Sequence, residues 1–205
     1  MAKRTGRGAG LATLVVLVGA TVVLAGCGGL VSSDARRQLE TNIAKSTLTV
    51  YPVGVLRGSD LVPAPDDAVR VAEQLAASGF AKVVAAKDAP DVRTIWRRDQ
   101  ASMLEQVAGD VGRHVKAHPP QGEYALYAQY LLRASERGDE VIGLQWVIVD
   151  RSGRVANAGM LDEKDSAFIA ARPKDKSACG PLLASSIKRD IGGMMARAAG
   201  RRVGG

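Results

Sequence analysis

The chain has 205 residues, of which 46% are hydrophobic and 24% are charged, and its formal net charge is +7 at pH 7. This balance excludes a disordered polyelectrolyte outside the chain ends and predicts one globular domain of ordinary size. With two cysteines, the chain is also not a scaffold built on several disulfides.

The N-terminal segment carries an export pattern. Lys3, Arg4 and Arg7 precede an apolar run over residues 11–24, and Leu24-Ala25-Gly26-Cys27 closes that run. The run is too short and too interrupted by glycine for a secure membrane span, whereas small residues before a cysteine suit a processing enzyme. The pattern resembles the signal peptide and lipobox of bacterial lipoproteins. This resemblance implies that residues 1–26 are removed and that Cys27 carries a diacylglyceryl thioether.

The same resemblance predicts where the protein acts. A lipid on Cys27 would hold the chain on a membrane of the bacterial envelope, and Gly28 in place of aspartate implies the periplasmic side of the outer membrane in a diderm cell. Loss of the three leading basic residues lowers the charge from +7 to about +4, and an exported chain of this charge is not expected to bind nucleic acid. Lipidation also leaves Cys179 without an intrachain partner, as either a buried or an exposed thiol.

The first part of the exported chain predicts a tether, a strand, a helix and a second strand. Residues 27–46 are typical of a short lipid-anchored tether that ends in a short helix. β-Branched residues predict a strand at 47–56, with Pro52 at an edge or a bulge. A helix at 67–79 with an acidic start and a strand at 80–86 follow.

The second part predicts a long helix, an antiparallel meander and a final helix. Apolar residues recur every three or four positions over residues 91–117, which indicates one amphipathic helix or a pair of helices. Alternation and turn residues predict three strands, at 124–132, 141–149 and 154–160. The remaining segments are a polar linker at 162–176, a helix at 181–199 and a frayed tail at 200–205. The predicted domain therefore spans residues 47–199.

These elements predict an α/β (α+β) fold class, a single domain with a small mixed sheet, an antiparallel meander and helices packed on the sheet. Four segments, at 47–56, 67–79, 124–132 and 141–153, follow one another in an order that includes a strand-Asp-x-x-Gly-strand hairpin. This order resembles the small α/β domain shared by the N-terminal domain of TolB, the outer-membrane activators of penicillin-binding proteins and curli-secretion-type lipoproteins. The resemblance implies a role in binding or assembly and supplies no catalytic residues.

His114 and His118 are the only histidines, and their spacing would place both imidazoles on one face of a helix, as two metal ligands require. The zinc-protease pattern is absent between them, and histidine at a helix C-terminus already interacts favourably with the helix dipole. Cys179 would need a histidine nearby in space to act as a nucleophile. We therefore predict no metal, no cofactor and no catalytic residue.

Tyr124, Tyr127 and Tyr130 share one predicted strand, and alternation places Tyr127 on the face opposite to the other two. That second face also carries Gln129 and Arg133, and it can meet either a helix or a partner protein. Aromatic residues and arginine are enriched at protein interfaces. Tyr127, Gln129 and Arg133 are therefore the candidate interface residues.

The sequence thus predicts a cell-envelope lipoprotein that acts as a non-catalytic, protein-binding accessory factor in envelope assembly, secretion or wall synthesis. Its predicted partners are the membrane, through the lipid on Cys27, and a protein of the envelope. Two alternatives stay open, a lipoprotein that binds a small ligand in an apolar pocket and a wall-active hydrolase.

Overall fold

A seven-stranded mixed sheet forms the centre of the protein, in a computed structural model that describes residues 29–93, 99–136 and 138–203. The strands are β1 (Thr47–Val50), β2 (Val53–Arg57), β3 (Asp60–Ala64), β4 (Lys82–Ala85), β5 (Tyr124–Ser135), β6 (Gly138–Asp150) and β7 (Val155–Asp162). The helices are α1 (Ser33–Asn42), α2 (Pro65–Leu75), α3 (Gln100–Ala117), α4 (Ser166–Ala171) and α5 (Cys179–Val203). Two 3₁₀ turns lie at Ile43–Lys45 and Lys176–Ala178.

The long strand β5 organises the sheet. Along one edge it pairs in parallel with β1 and then with β2, and along the other it pairs antiparallel with β6. β7 continues the meander beyond β6, while β4 pairs in parallel with β1 and β3 pairs antiparallel with β2. The fold is thus the predicted single α/β domain with a mixed sheet, an antiparallel meander and helices packed on it.

Both faces of the sheet are covered because the strand side chains alternate between two apolar sides. On one face, Tyr124, Leu126 and Tyr130 of β5 belong to a core cluster that includes residues of α1, α2 and α5. On the other face, Ala125 and Tyr127 pack in a cluster with α3. The α3 residues of that cluster are Leu104, Val107, Ala108, Val111 and Val115.

Several predicted boundaries are wrong. The predicted strand at 47–56 is two strands, because Pro52 has no N–H for a ladder and the chain changes its register on β5 between Val50 and Val53. β3 lies between the predicted strand at 47–56 and the predicted helix at 67–79, where no strand was predicted, and Pro63 fits it because β3 is an edge strand. The predicted linker at 162–176 contains α4, whose first turn is capped by the Asp165 carboxylate.

The short helix predicted at the end of the tether is present as α1, but it is part of the domain rather than of a tether. Ser32 caps α1 through its side chain, and its N–H donates to the Val155 carbonyl at 2.9 Å. Ala35 and Leu39 of α1 are fully buried in the core. The domain therefore begins near Ser32 rather than at Thr47, because α1 supplies apolar surface that the sheet needs.

The predicted helix at 91–117 begins later than expected. α3 starts at Gln100, where the Asp99 carboxylate accepts hydrogen bonds from the N–H groups of Ala101 and Ser102. Trp96, an apolar residue of the predicted helix, lies outside the described residues. Among residues 29–93, 99–136 and 138–203, no helix is long and apolar enough to cross a bilayer.

Candidate functional site

Two of the three predicted interface residues are buried within the domain. Tyr127 is 2% exposed and Gln129 is 0% exposed, because α3 covers the face of β5 that carries them. The prediction that they contact a partner is therefore wrong, and the alternative, that this face meets a helix, is confirmed. The apolar side of α3 could have predicted this burial, because an apolar helix face needs a sheet face to pack against.

Tyr127 and Gln129 instead take part in a buried polar chain across two strands. The Gln145 Nε2 atom donates to Gln129 Oε1 at 2.6 Å, and Gln129 Nε2 donates to the Tyr127 hydroxyl at 3.2 Å. Burial raises the pKa of Tyr127 to about 12, so its hydroxyl stays neutral at physiological pH. Their role is structural, because buried polar groups must find partners inside the protein.

Arg133, the third predicted interface residue, is exposed. It lies in the part of β5 and β6 that we name the β5–β6 extension, residues 133–135 and 138–140. The pairing of β5 with β2 ends at Leu132, and the pairing of β6 with β7 begins at Gly143, so the extension has no neighbouring strand in the described sheet. Every residue of the extension is exposed.

Opposite charges meet on this extension. The Arg133 guanidinium lies 2.8 Å from the Glu140 carboxylate and 3.4 Å from that of Glu163, and Arg57 lies 2.8 Å from Asp139. A groove of about 480 Å³ lies beside it. Its walls are Arg57, Gly58, Asp60, Leu132, Arg133 and Ala134. The extension therefore presents a charged ribbon and an adjoining recess on one surface.

The turn between β6 and β7 lies at the other end of the long strands. The Asp150 carboxylate accepts hydrogen bonds from the Ser152 N–H at 2.9 Å, the Ser152 hydroxyl at 2.6 Å, the Arg154 N–H at 3.0 Å and Arg154 Nε at 2.8 Å. Burial raises the pKa of Asp150, but the hydrogen bonds from Ser152 and Arg154 outweigh it, so the net pKa lies below the ordinary value. The turn is thus held in one conformation by an ionised carboxylate.

Two grooves, which we name the hairpin grooves, flank this turn and share Ser152 and Arg154. The first, of about 490 Å³, lies between the turn and the end of α1 and includes Lys45 and Arg151. The second, of about 470 Å³, lies between the turn and α3. Gly29, Leu30 and Ser32, from the N-terminal end of the described chain, line the second groove.

The two histidines lie side by side at the end of α3. Their ring centroids are 5.1 Å apart, and the Tyr51 ring meets His114 edge-on at 5.6 Å. Burial, together with the neighbouring His118, lowers the pKa of His114. In the described part of the chain, no three His, Cys, Asp or Glu side chains are grouped so that they could hold a metal ion.

Cys179, which would need a nearby histidine to act as a nucleophile, is a core residue. Its side chain is fully buried at the start of α5, which confirms the first of the two alternatives for this thiol. Burial raises its pKa to about 12, so the nucleophilic thiolate is scarce at neutral pH. Cys27, the predicted lipidation site, lies outside the described residues.

No family model matches the chain, and no curated protein sequence matches it. The PelC dodecamer from Paraburkholderia phytofirmans is a similar solved structure, with 14% identity and a TM-score of 0.34 over 71% of this chain and 86% of that chain. A single-substitution variant of the same PelC dodecamer matches with 15% identity and a TM-score of 0.30 over 69% of this chain and 90% of that chain. Similarity at this level assigns neither a family nor a function to the chain.

Proposed function

We propose that the protein is a bacterial cell-envelope lipoprotein whose domain binds another envelope protein and catalyses no reaction. The lipid attachment is supported by the sequence around Cys27, where a basic segment, an apolar run and small residues precede the cysteine. The binding role is supported by the β5–β6 extension, and this is the observation on which the proposal depends.

The extension lies at the end of the sheet opposite to the N-terminal end of the described chain. Gly29 and Leu30 lie beside the β6–β7 turn, at the Asp150 end of β6, whereas the extension begins at Gly138. β6 has 13 residues, which at roughly 3.4 Å per residue separate its two ends by about 40 Å. A lipid on Cys27 would therefore hold one end of the domain at the membrane and direct the extension away from it.

The extension gains little stability from its own contacts. A two-stranded ribbon without further neighbours is marginal in water, and exposed ion pairs contribute about 0 to 1 kcal/mol each. Its charged side chains and adjoining groove nevertheless form an ordered polar surface of the kind found at the rim of protein interfaces. Contact with a protein partner would account for the length and the charge pattern of the extension.

The state of Cys179 argues against a hydrolase that uses this cysteine as its nucleophile. A cysteine nucleophile needs an accessible thiolate, and this thiol is fully buried with a pKa raised to about 12. Its Sγ atom lies 3.7 Å from the Asp175 carbonyl oxygen, to which it donates a weak hydrogen bond. Cys179 is therefore assigned to the core.

Lipidation is tested by metabolic labelling of the full chain with an alkyne analogue of palmitate. We expect the wild-type protein to carry the label and the Cys27→Ser variant to lose it. Cys179→Ser is the matched control and should keep the label. A label that persists in Cys27→Ser would contradict the proposal.

Partner binding is tested by capture from an envelope extract with a chain that begins at residue 28. The extension variant, Arg133→Ala/Glu140→Ala, removes one charge of each sign from the extension. The control variant, Glu73→Ala/Lys188→Ala, removes one charge of each sign from exposed positions of α2 and α5. We expect the wild-type and control chains to capture a protein that the extension variant does not capture. Equal capture by all three chains would refute a role for the extension.

A further inference from the structure

We propose that the hairpin grooves lie on the membrane and bind the headgroups of anionic phospholipids through Lys45, Arg113, Lys116, Arg151 and Arg154. This inference rests on the proposed lipid attachment at Cys27 and adds an orientation to it. The lipid would tether the domain, and the basic residues around the β6–β7 turn would decide which end of it faces the bilayer.

The reach of the chain limits how far Cys27 can lie from the domain. Leu30 and Val31 pack against the core cluster of α3, and the Ser32 N–H is bonded to the Val155 carbonyl, so the backbone is held on the domain from Leu30 onward. Three steps of roughly 3.8 Å between successive Cα atoms separate Leu30 from Cys27, which limits their separation to about 11 Å. A lipid on Cys27 therefore begins beside the second hairpin groove.

The hairpin grooves carry more basic than acidic side chains. Five basic side chains line them, namely Lys45, Arg113, Lys116, Arg151 and Arg154, against the three acidic side chains of Glu105, Glu123 and Asp150. Asp150 is 7% exposed and its carboxylate is occupied by Ser152 and Arg154. Glu123 accepts a hydrogen bond from the Thr47 N–H at 2.6 Å. Arg113 and Arg154 are ion-paired with Asp110 and Asp150. The positive charge available to a headgroup therefore comes mainly from Lys45, Lys116 and Arg151.

Arg151 shows how the turn holds a cation at the surface. Its guanidinium donates to three backbone carbonyls, those of Gly122 at 2.9 Å, Gln121 at 3.1 Å and Pro120 at 3.3 Å. Carbonyl oxygens fix the position of the guanidinium without neutralising its charge, unlike a carboxylate. The turn thus presents a fixed positive group with donor capacity for a phosphate oxygen.

A lipid on Cys27 would hold the grooves close to the bilayer surface. Attraction between exposed charges falls off over about 8 Å at physiological ionic strength, which is comparable to the reach between Cys27 and the domain. Basic residues held this close to an anionic leaflet gain from its negative surface potential. The position of the grooves therefore favours contact with phosphate headgroups of the bilayer over binding of a ligand from the side away from the membrane.

The test measures co-sedimentation of the unlipidated chain that begins at residue 28 with phospholipid vesicles. All three described core clusters lie within residues 30–194, so this chain keeps the whole domain. We expect binding to phosphatidylcholine vesicles that contain phosphatidylglycerol and little binding to phosphatidylcholine alone. The Lys45→Gln/Lys116→Gln variant should bind about 25-fold more weakly, since each basic residue near an anionic surface contributes about fivefold.

Lys164→Gln/Lys174→Gln is the matched control, because it removes two exposed lysines that line neither groove. It should bind within about twofold of the unmodified chain if the grooves are the site. Equal weakening by both double variants, or equal binding to neutral and anionic vesicles, would overturn the inference. Palmitate labelling at Cys27 reports on the proposed function separately, because vesicle binding is measured on a chain without the lipid.

Discussion

Gly112 of α3 and Gly153 of the β6–β7 turn are in direct backbone contact. A Cβ atom on either residue would overlap the carbonyl oxygen of the other. Gly153 also has a φ of +79°, a conformation that residues with a side chain rarely adopt. This pair of glycines lets α3 approach the turn closely, and both residues line the second hairpin groove.

Gly112→Ala should destabilise the domain although alanine favours helices. We expect the free energy of unfolding to fall by about 1 to 3 kcal/mol, because the new methyl group displaces backbone rather than a flexible side chain. The matched control is Gly109→Ala on the same helix, which meets only the far end of Arg113 and should stabilise by about 0.5 to 1 kcal/mol. Urea denaturation checks both, and stabilisation by both changes would disprove the close contact.

Asp150→Asn should cost about 3 kcal/mol of unfolding free energy at pH 7, because a buried ionised acceptor of four hydrogen bonds is replaced by a neutral amide. The net folded-state pKa of Asp150 is lowered, so its contribution is fully present above the unfolded pKa of about 3.9 and is lost as the pH falls through the folded value. The difference between wild type and variant should therefore shrink below about pH 4.

Denaturation at a series of pH values measures this difference. Asp34→Asn is the control, because Asp34 is exposed in the first turn of α1 and should contribute about 0.5 kcal/mol through the helix dipole. A cost of Asp150→Asn that stays constant through acid pH would show that ionisation of Asp150 is not what holds the turn.

Tyr127→Ala and Arg133→Ala should separate a core residue from a surface residue. Tyr127→Ala should lower the free energy of unfolding by about 3 to 5 kcal/mol, since it opens a cavity under α3. Arg133→Ala should change it by less than about 1 kcal/mol, since its ion pairs are exposed. Chemical denaturation compares the two, and a small effect of Tyr127→Ala would place its side chain outside the core.

Cys179 should be unreactive in the folded protein. In a chain that begins at residue 28 it is the single cysteine, and at pH 8 a pKa of about 12 leaves roughly one thiol in ten thousand ionised. We expect Ellman's reagent to give no rapid colour until denaturant is added, and then one equivalent. Rapid reaction of the native protein would show that the start of α5 opens readily.

The sequence predicted the fold class because apolar residues recur at every second position in strands and at every third or fourth position in helices. Alternation in residues 124–132 and a three-to-four spacing in α3 indicated a strand and a helix, and the turn residues at Asp150–Gly153 indicated the hairpin between β6 and β7. The same patterns missed β3 and α4. β3 carries a proline that only its edge position tolerates, and α4 is short and begins in a polar segment.

The candidate site was predicted only in part. Arg133 is exposed as expected, whereas Tyr127 and Gln129 are covered, because alternation shows that two faces of a strand differ but not which of them meets a helix. The hairpin grooves were not predicted. Lys45, Lys116 and Arg151 are far apart in the chain, and only the pairing of β5, β6 and β7 with the helices brings them to one end of the domain.

By itself, the sequence determined the class of the fold, most of its strands and helices, and the lipidation prediction at Cys27, since each depends on residues that are close together along the chain. The tertiary structure decided which side chains are buried, where the domain begins, and how the β5–β6 extension and the hairpin grooves come to lie at opposite ends. Those features depend on strand register and helix packing, which join residues that are distant in sequence. Register and packing are decided only when apolar faces from all parts of the chain are buried together.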